Sequence, residues 1–278
     1  MTYGSLGPGA LDYLPCRYGK SKLLFRGPKR RLDAPFIAFI GGAETYGKFI
    51  RTPFPAMTET ELGVNCVNFG IPNAGVDVFL NDAMISHAVD QSRATVVQVL
   101  GAQNLSNRFY SVHPRRNDRI VAASPMVRTI YRDVDFTEFH FTKHMLNCLH
   151  VVSVERFATV RQELQAAWVA RMRLLLERVN GKTVLLWMAD RPPPLEADMG
   201  FHPTKSMDPL FVTREMLDAL SSYATEFVEV TATADAMACA ADDMYFSDLE
   251  APTVKGVLGP KTHADAADAL AKTLARML

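Results

Sequence analysis

The sequence of 278 residues is short of the features that would take it out of the ordinary globular class. It has only four cysteines, Cys16, Cys66, Cys148 and Cys239, with no CxxC pair, which argues against a disulfide framework and against a zinc site. Cys66 sits in an apolar run, where a free thiol behaves as a small buried hydrophobe. There is no net charge, since 30 Lys and Arg face 30 Asp and Glu, so bulk electrostatics offers nothing to nucleic acid or to an anionic membrane. No stretch approaches the roughly 18 apolar residues of a membrane span. The opening "MTYGSLGPGALDYLP" lacks the basic start and apolar run of a secretion signal, and a cytoplasmic setting is expected. "GKSK" lacks the preceding strand and glycine of a P-loop, and "GGAETYG" does not fit the dinucleotide pattern GxGxxG, so no cofactor is implied.

Apolar residues, at 48%, are plentiful enough to bury a large core. Five runs read as strands: "FIAFIG" (36–41), "VNCVNFG" (64–70), "ATVVQVLG" (94–101), "TVLLWMA" (183–189) and "FVEVTA" (227–232). Most are apolar at nearly every position, as parallel strands covered on both faces are. Helical patterns separate them. In the clearest, Phe157, Val160, Leu164, Trp168, Met172, Leu175 and Val179 form one stripe. "TREMLDALSSYA" carries Thr213 as an N-cap, and "HADAADALAKTLARML" closes the chain as an Ala-rich helix. The alternation predicts a doubly wound, mostly parallel five-stranded α/β sheet in a flavodoxin-like three-layer sandwich.

Two stretches break that rhythm. Residues 1–35 carry seven Lys or Arg and no acid between Arg17 and Arg31, and read as a basic N-terminal arm that wraps the body or meets a second copy. Residues of about 102–150 are too long for a simple connection and read as a partly helical, lid-like insertion after the third strand. The expected organisation is therefore the arm at 1–35 and one α/β domain over 36–278. Residues 190–210 form a second long loop, which includes His202. Charge is uneven along the chain. Residues 1–195 hold 24 basic and 16 acidic side chains, and residues 196–278 hold 6 and 14. The imbalance marks either an anion-binding half or two halves that attract each other in the fold.

Ligands in such sheets sit beyond the carboxyl ends of the strands. Three consecutive strands end there in polar, glycine-bearing turns. The first offers Gly41, Gly42, Ala43, Glu44, Thr45, Tyr46 and Gly47. The second offers Gly70, Asn73, Ala74 and Gly75, and the third Gly101, Gln103, Asn104, Ser106 and Asn107. Glu44 beside such a turn suits an amine or hydroxyl, or general-base work on water; its structural alternative is to cap the helix that follows.

These blocks resemble the SGNH (GDSL-type) hydrolase superfamily. "IGGAETYG" is similar to its nucleophile turn, "VNFGIPNAG" and "LGAQNLSN" to its second and third blocks, and "LGPKTHADAADAL" to its last. The resemblance implies an SGNH-like fold, with Gly70 and Asn104 as oxyanion donors. His263 is the implied base, although in the alternative register that position falls to Gly259. Gly42 stands at the family's Asp position, Ala43 at its Ser position, and Pro260 three residues before His263. Thr45 and Ser106 are the nearby hydroxyls. The chain also resembles an uncharacterised alphaproteobacterial family of similar length, known as a domain of unknown function.

The insertion adds a donor cluster: Arg108, His113, Arg115, Arg116 and Arg119, with one acid, Asp118. Guanidinium forks suit phosphate, sulfate or carboxylate. The alternatives are a solvated basic loop, or pairing with Asp133, Asp135 and Glu138. His140 and His144 are four apart, but no third ligand accompanies them, and no metal site is expected. Trp168 and Trp187 read as core.

Two functions follow as expectations. One is an esterase-like hydrolase or acyltransferase with an altered site, acting on a small or carbohydrate-linked, anionic or acylated substrate. Its catalytic set is Glu44, Gly70, Asn104 and His263. Substrate contacts come from Gly42, Thr45, Asn73, Gln103, Asn107, Arg108, His113, Arg115 and Arg116. The other is a non-catalytic module that recognises an anionic or sugar ligand. Neither takes nucleic acid or a membrane as partner.

Overall fold

The structure, a computed structural model, describes residues 10–195 and 208–278; His202 and most of the second loop lie outside them. The first half runs β1 (Phe36–Ile40), α1 (Ala43–Tyr46), α2 (Phe54–Leu62), β2 (Asn65–Asn68), α3 (Val76–Asn81), α4 (Ala83–Gln91) and β3 (Ala94–Gln98). A hairpin of β4 (Tyr110–His113) and β5 (Arg116–Ala123) follows, then α5 (Pro125–Ile130), α6 (Thr142–Val152) and α7 (Val154–Glu177). The remainder is β6 (Lys182–Ala189), α8 (Arg214–Asp218), β7 (Glu226–Thr231), α9 (Ala234–Ala238), α10 (Ala251–Val254) and α11 (Pro260–Met277).

Five strands pair in the order β2-β1-β3-β6-β7, every neighbour parallel. The chain steps outward from β1 in both directions, so the order reverses between β1 and β3. The crevice at that switch point is where open α/β sheets receive ligands. All five residues of β1 are buried because both faces of the strand are covered. Phe36, Ala38 and Ile40 join a cluster with side chains of α3, α4 and α7. Ile37 and Phe39 join a second cluster with Phe54 of α2 and Ala266, Ala267 and Leu270 of α11. Each fully buried Phe, Ile or Leu side chain among them contributes about 1.5–3 kcal/mol. β7 lies at the edge and alternates, with Val228 and Val230 buried and Glu229 exposed.

The stripe on α7 behaves as its spacing predicts: Phe157, Val160, Leu164, Trp168, Met172 and Leu175 are buried. Trp168 also ties the helix to the sheet end, donating Nε1–H to Leu100 O at 2.8 Å. Thr213 caps α8, its hydroxyl accepting from Met216 N.

Residues 10–35 lie against the body. Cys16 and Phe25 form an antiparallel bridge, and Tyr18 and Phe25 pack on Phe69 at ring separations of 5.3 and 5.4 Å. Arg17, Lys20 and Lys22 are exposed, but Arg26 is buried. Its guanidinium donates to the carbonyls of Tyr46 (3.1 Å), Ile50 (2.7 Å) and Arg51 (2.7 Å), and to that of Gly47. The chain there turns through left-handed Gly47 and Phe49, and of these carbonyls only that of Gly47 also accepts a backbone N–H, from Ile50 at 3.1 Å. A basic residue is buried because four acceptors await it.

Residues 102–150 hold the hairpin β4–β5, which the apolar pattern does not mark, as well as helix. The strands pair antiparallel with register shifts around Val112. Asn117 anchors them. Its Oδ1 accepts from Gly75 N and Val78 N at 3.0 and 3.1 Å, and its Nδ2 donates to His113 O. No described helix is long and apolar enough to cross a membrane.

Candidate functional site

β1 ends at Ile40, and the chain enters α1 within three residues. A side chain of the neighbouring strand closes that turn. Gln98, the last residue of β3, is buried, and its Oε1 accepts from Gly42 N (2.9 Å), Thr45 N (3.2 Å) and Thr45 Oγ1 (2.6 Å). Its Nε2 donates to Glu44 Oε2 at 2.7 Å. One amide thus satisfies the opening donors of the turn and fixes the carboxylate beside them. Gly41 is needed for this approach, since a Cβ there would lie 2.1 Å from Thr45 Oγ1 and 2.5 Å from Gln98 Oε1.

The other two turns are stitched in the same way. Asn68 donates to Thr45 O at 2.6 Å and accepts from Gly70 N at 2.8 Å. Asn73 takes the left-handed conformation that asparagine tolerates, with φ 59°. Asn104 donates to Asn73 O at 3.2 Å and accepts from Thr142 Oγ1 at 2.6 Å. Gly75 passes so close to Asn104 that an added Cβ would fall 1.4 Å from its carbonyl oxygen.

The turns enclose a cavity of about 90 Å³. Gly42, Ala43 and Glu44 form one wall, Asn73 and Ala74 a second, and Gln98 to Gly101 with Gln103 and Asn104 a third. Lys143 from the start of α6, Asp190 beyond β6, and Asp208 complete the rim. Lys143 Nζ meets Asp208 Oδ2 at 2.7 Å, and Gln103 Nε2 donates to Asp208 Oδ1 at 2.9 Å. Asp190 pairs with Arg191 at 2.9 Å. Glu44 is half-buried, and burial pushes its carboxyl above the usual carboxylate range. The hydrogen bond from Gln98 opposes this; nearby Asp208 adds to it and Lys143 subtracts.

Of the residues given catalytic or substrate-binding roles in the sequence, Gly42, Glu44, Asn73, Gln103 and Asn104 come together here. The other residues given those roles are placed elsewhere. Thr45 is buried behind the turn, with its hydroxyl on Gln98. Gly70 faces α1, its N–H held by Asn68 and its Cα packed on Tyr46, where a Cβ would lie 2.2 Å from the amide nitrogen. His263 is buried in the second core cluster's layer, where Nδ1 accepts from Phe54 N at 3.2 Å. Burial first, then the Arg26 charge, lower its pKa to about 3, so it is a neutral packing residue. Asn107 closes its own loop, accepting from Phe109 N and Tyr110 N.

The insertion's arginines and His113 do not converge on the cavity either. Arg108 is paired with Glu163, donating to it from both backbone N and Nε. Arg116 lies 3.9 Å from Asp118, and Arg119 stacks over Phe141 at 4.5 Å. His113 accepts from Arg115 N within the hairpin turn. Arg115 instead lines a separate groove with Lys20 and Lys22. Among the described residues no group of three or more His, Cys, Asp or Glu is placed to hold a metal ion.

Four polar site residues escape the turn-by-turn reading: Gln98, Lys143, Asp190 and Asp208. Gln98 carried a signal, as the one polar residue in an otherwise apolar strand end. Lys143 and Asp208 are 65 positions apart, and nothing in the sequence links them.

The chain belongs to the family described as a domain of unknown function (DUF6473), which it matches over residues 1–278. No curated protein matches it. Among solved structures it is similar to BT4096, a gut microbial diltiazem-metabolizing enzyme, with a TM-score of 0.40 and 11% identity over 89% of this chain. The match covers 48% of that protein, so this chain spans about half its length. It is also similar to a lipase from goat rumen metagenome, with a TM-score of 0.34 and 11% identity over 88% of this chain and 97% of the lipase.

Proposed function

We propose that this chain is a small-ligand recognition protein on an SGNH-like framework from which the ester-cleaving apparatus is missing. One observation carries the reading: both groups implied as oxyanion donors already give a hydrogen bond inside the protein. Gly70 N serves Asn68, and one N–H of the Asn104 amide serves Asn73. An oxyanion hole needs donors left free for charge that develops in the transition state, and removing one such donor costs about 10²–10³ in rate. Ala43 supplies no nucleophile, and His263 is packed on Phe54 away from the cavity lining. In this reading residues 36–278 act as one α/β unit, and the 102–150 excursion is a fixed wall pinned by Asn117, not a moving lid.

The test is hydrolysis of p-nitrophenyl acetate. Wild type and Ala43→Ser are both expected to match the buffer rate, because a restored hydroxyl would meet no histidine base and Gly70 N is already bonded. Turnover by Ala43→Ser alone would mean that the machinery is intact and the reading is wrong. A second reading rests on Glu44, whose raised pKa and place in the cavity wall suit a general base on water. Its signature is wild-type turnover that Glu44→Gln abolishes.

A further inference from the structure

The chemistry of the cavity is one-sided. Gln103 is 3% exposed, and its Oε1 is buried without a hydrogen-bond partner. Its amide cannot simply be turned over, because Nε2 faces Asp208, whose carboxylate only accepts. Glu44 brings a second acceptor to the same cavity; Gln98 occupies its Oε2 with a neutral amide. Among the described lining residues Lys143 is the one cation, and its ammonium already rests on Asp208. Asp190 has Arg191. Among the described residues, therefore, the charge of Glu44 has no cation dedicated to it, and Gln103 Oε1 has no donor. Buried acceptors in this state are rare in folded proteins and mark places where a further group belongs.

We infer that the cavity receives the protonated amine of a small ligand, with the ammonium against the Glu44 carboxylate and one N–H given to Gln103 Oε1. The inference rests on the recognition reading above and supplies its ligand class. It also moves the ligand's charge from the negative sign suggested by the arginine-rich insertion to the positive. The polar half of the ligand faces Asn73 and Asn104, and the apolar part meets Leu100 and Leu258. The raised pKa of Glu44 fits this arrangement, since a cation beside it would bring the carboxyl back toward its ordinary value.

The experiment compares ligands of one size and three charges at pH 7 by calorimetry and thermal shift. D-glucosamine, D-glucose and D-glucuronate form one series; ethanolamine, ethylene glycol and glycolate repeat it at two-carbon size. At least one amine is expected to bind about tenfold or more tightly than its neutral and acidic counterparts, the scale of one charged hydrogen bond. Glu44→Gln should bring amine and neutral analogue within about twofold while the protein stays folded, because it removes an uncompensated charge and keeps an acceptor for Gln98. Gln103→Met should weaken the amine without restoring the neutral analogue. Equal binding of amine and neutral analogue, preference for the acid, or no binding by either amine overturns the inference. Hydrolysis of p-nitrophenyl acetate is read separately, so failure of the recognition reading and failure of the amine assignment give different results.

Discussion

Two concavities of this molecule hold charge in opposite ways. The cavity at the sheet ends is built from buried groups: Gln98, Gln103 and Asn104 are all under 9% exposed, and their partners come from other turns, strands or helices. The groove between residues 20–23 and the β4–β5 turn is roomier, about 240 Å³, and sets exposed Lys20, Lys22 and Arg115 over Leu23, Val78 and Met84. Its one acid, Asp82, is spent on Ser21 and on the first amides of α4. Among the described residues that line it, no buried polar atom is left without a partner. The difference is between polar groups that packing holds in one geometry and cations that solvent screens. A basic cluster in a sequence is conspicuous and structurally cheap; a lone glutamine at a strand end is inconspicuous and organises a site.

The hardest blow to the cavity is steric. Gly75→Ala would force a Cβ into the Asn104 carbonyl and is expected to cost about 3 kcal/mol or more, or to prevent folding. Gly181→Ala, whose Cβ would find its nearest neighbour 3.8 Å away, is the control and should change urea midpoints little. If the two variants unfold alike, the close approach of the second and third turns is not real.

The comparison sharpens with pH, because two groups titrate with opposite signs. The pKa of His263 falls from 6.5 to about 3 on folding. Its contribution is complete above pH 6.5 and is lost as pH falls toward 3, with a slope of up to roughly 1.4 kcal/mol per unit. Glu44 is raised, so its contribution is present below its unfolded value of 4.5 and is lost as pH climbs through the folded value. Denaturation from pH 3 to 8 should therefore show His263→Gln flattening the acid limb. Glu44→Gln should raise the midpoint at pH 7, with a gain that disappears below 4.5. A Glu44→Gln variant less stable than wild type at pH 7 would show that the carboxylate already has its cation.

The smallest effect belongs to the groove. Lys20→Gln, Lys22→Gln and Arg115→Gln should each shift stability by less than about 0.5 kcal/mol, as exposed charges do. They should also leave any amine preference untouched. A change in that preference would join the two concavities into one site.

Much of the architecture could be read before the structure. "FIAFI" and "TVLLWMA" are apolar throughout because both faces of β1 and β6 are covered, and the α7 stripe is regular because one side of that helix meets a flat layer. The site was half legible. Glycine-bearing turns marked where the strands deliver their groups, but not which N–H each turn keeps for itself. Gly70 looked like a donor until Asn68, two residues before it, took the hydrogen. The burial of Arg26 within the basic arm was not legible, because its acceptors lie 20 to 25 residues onward. The hairpin stayed hidden because its bulged register breaks the period of two on which strand patterns depend.

The contact of α11 with α2 sets an order of events during synthesis. Residues 260–277 cover the sheet face that carries Ile37 and Phe39, and His263 touches Phe54 across 209 positions of chain. While a ribosome is still making the second half, that greasy surface has only α2 to hide it. The nascent polypeptide must stay clear of its neighbours until the closing helix emerges, so early strands and final helix reach their settled state together.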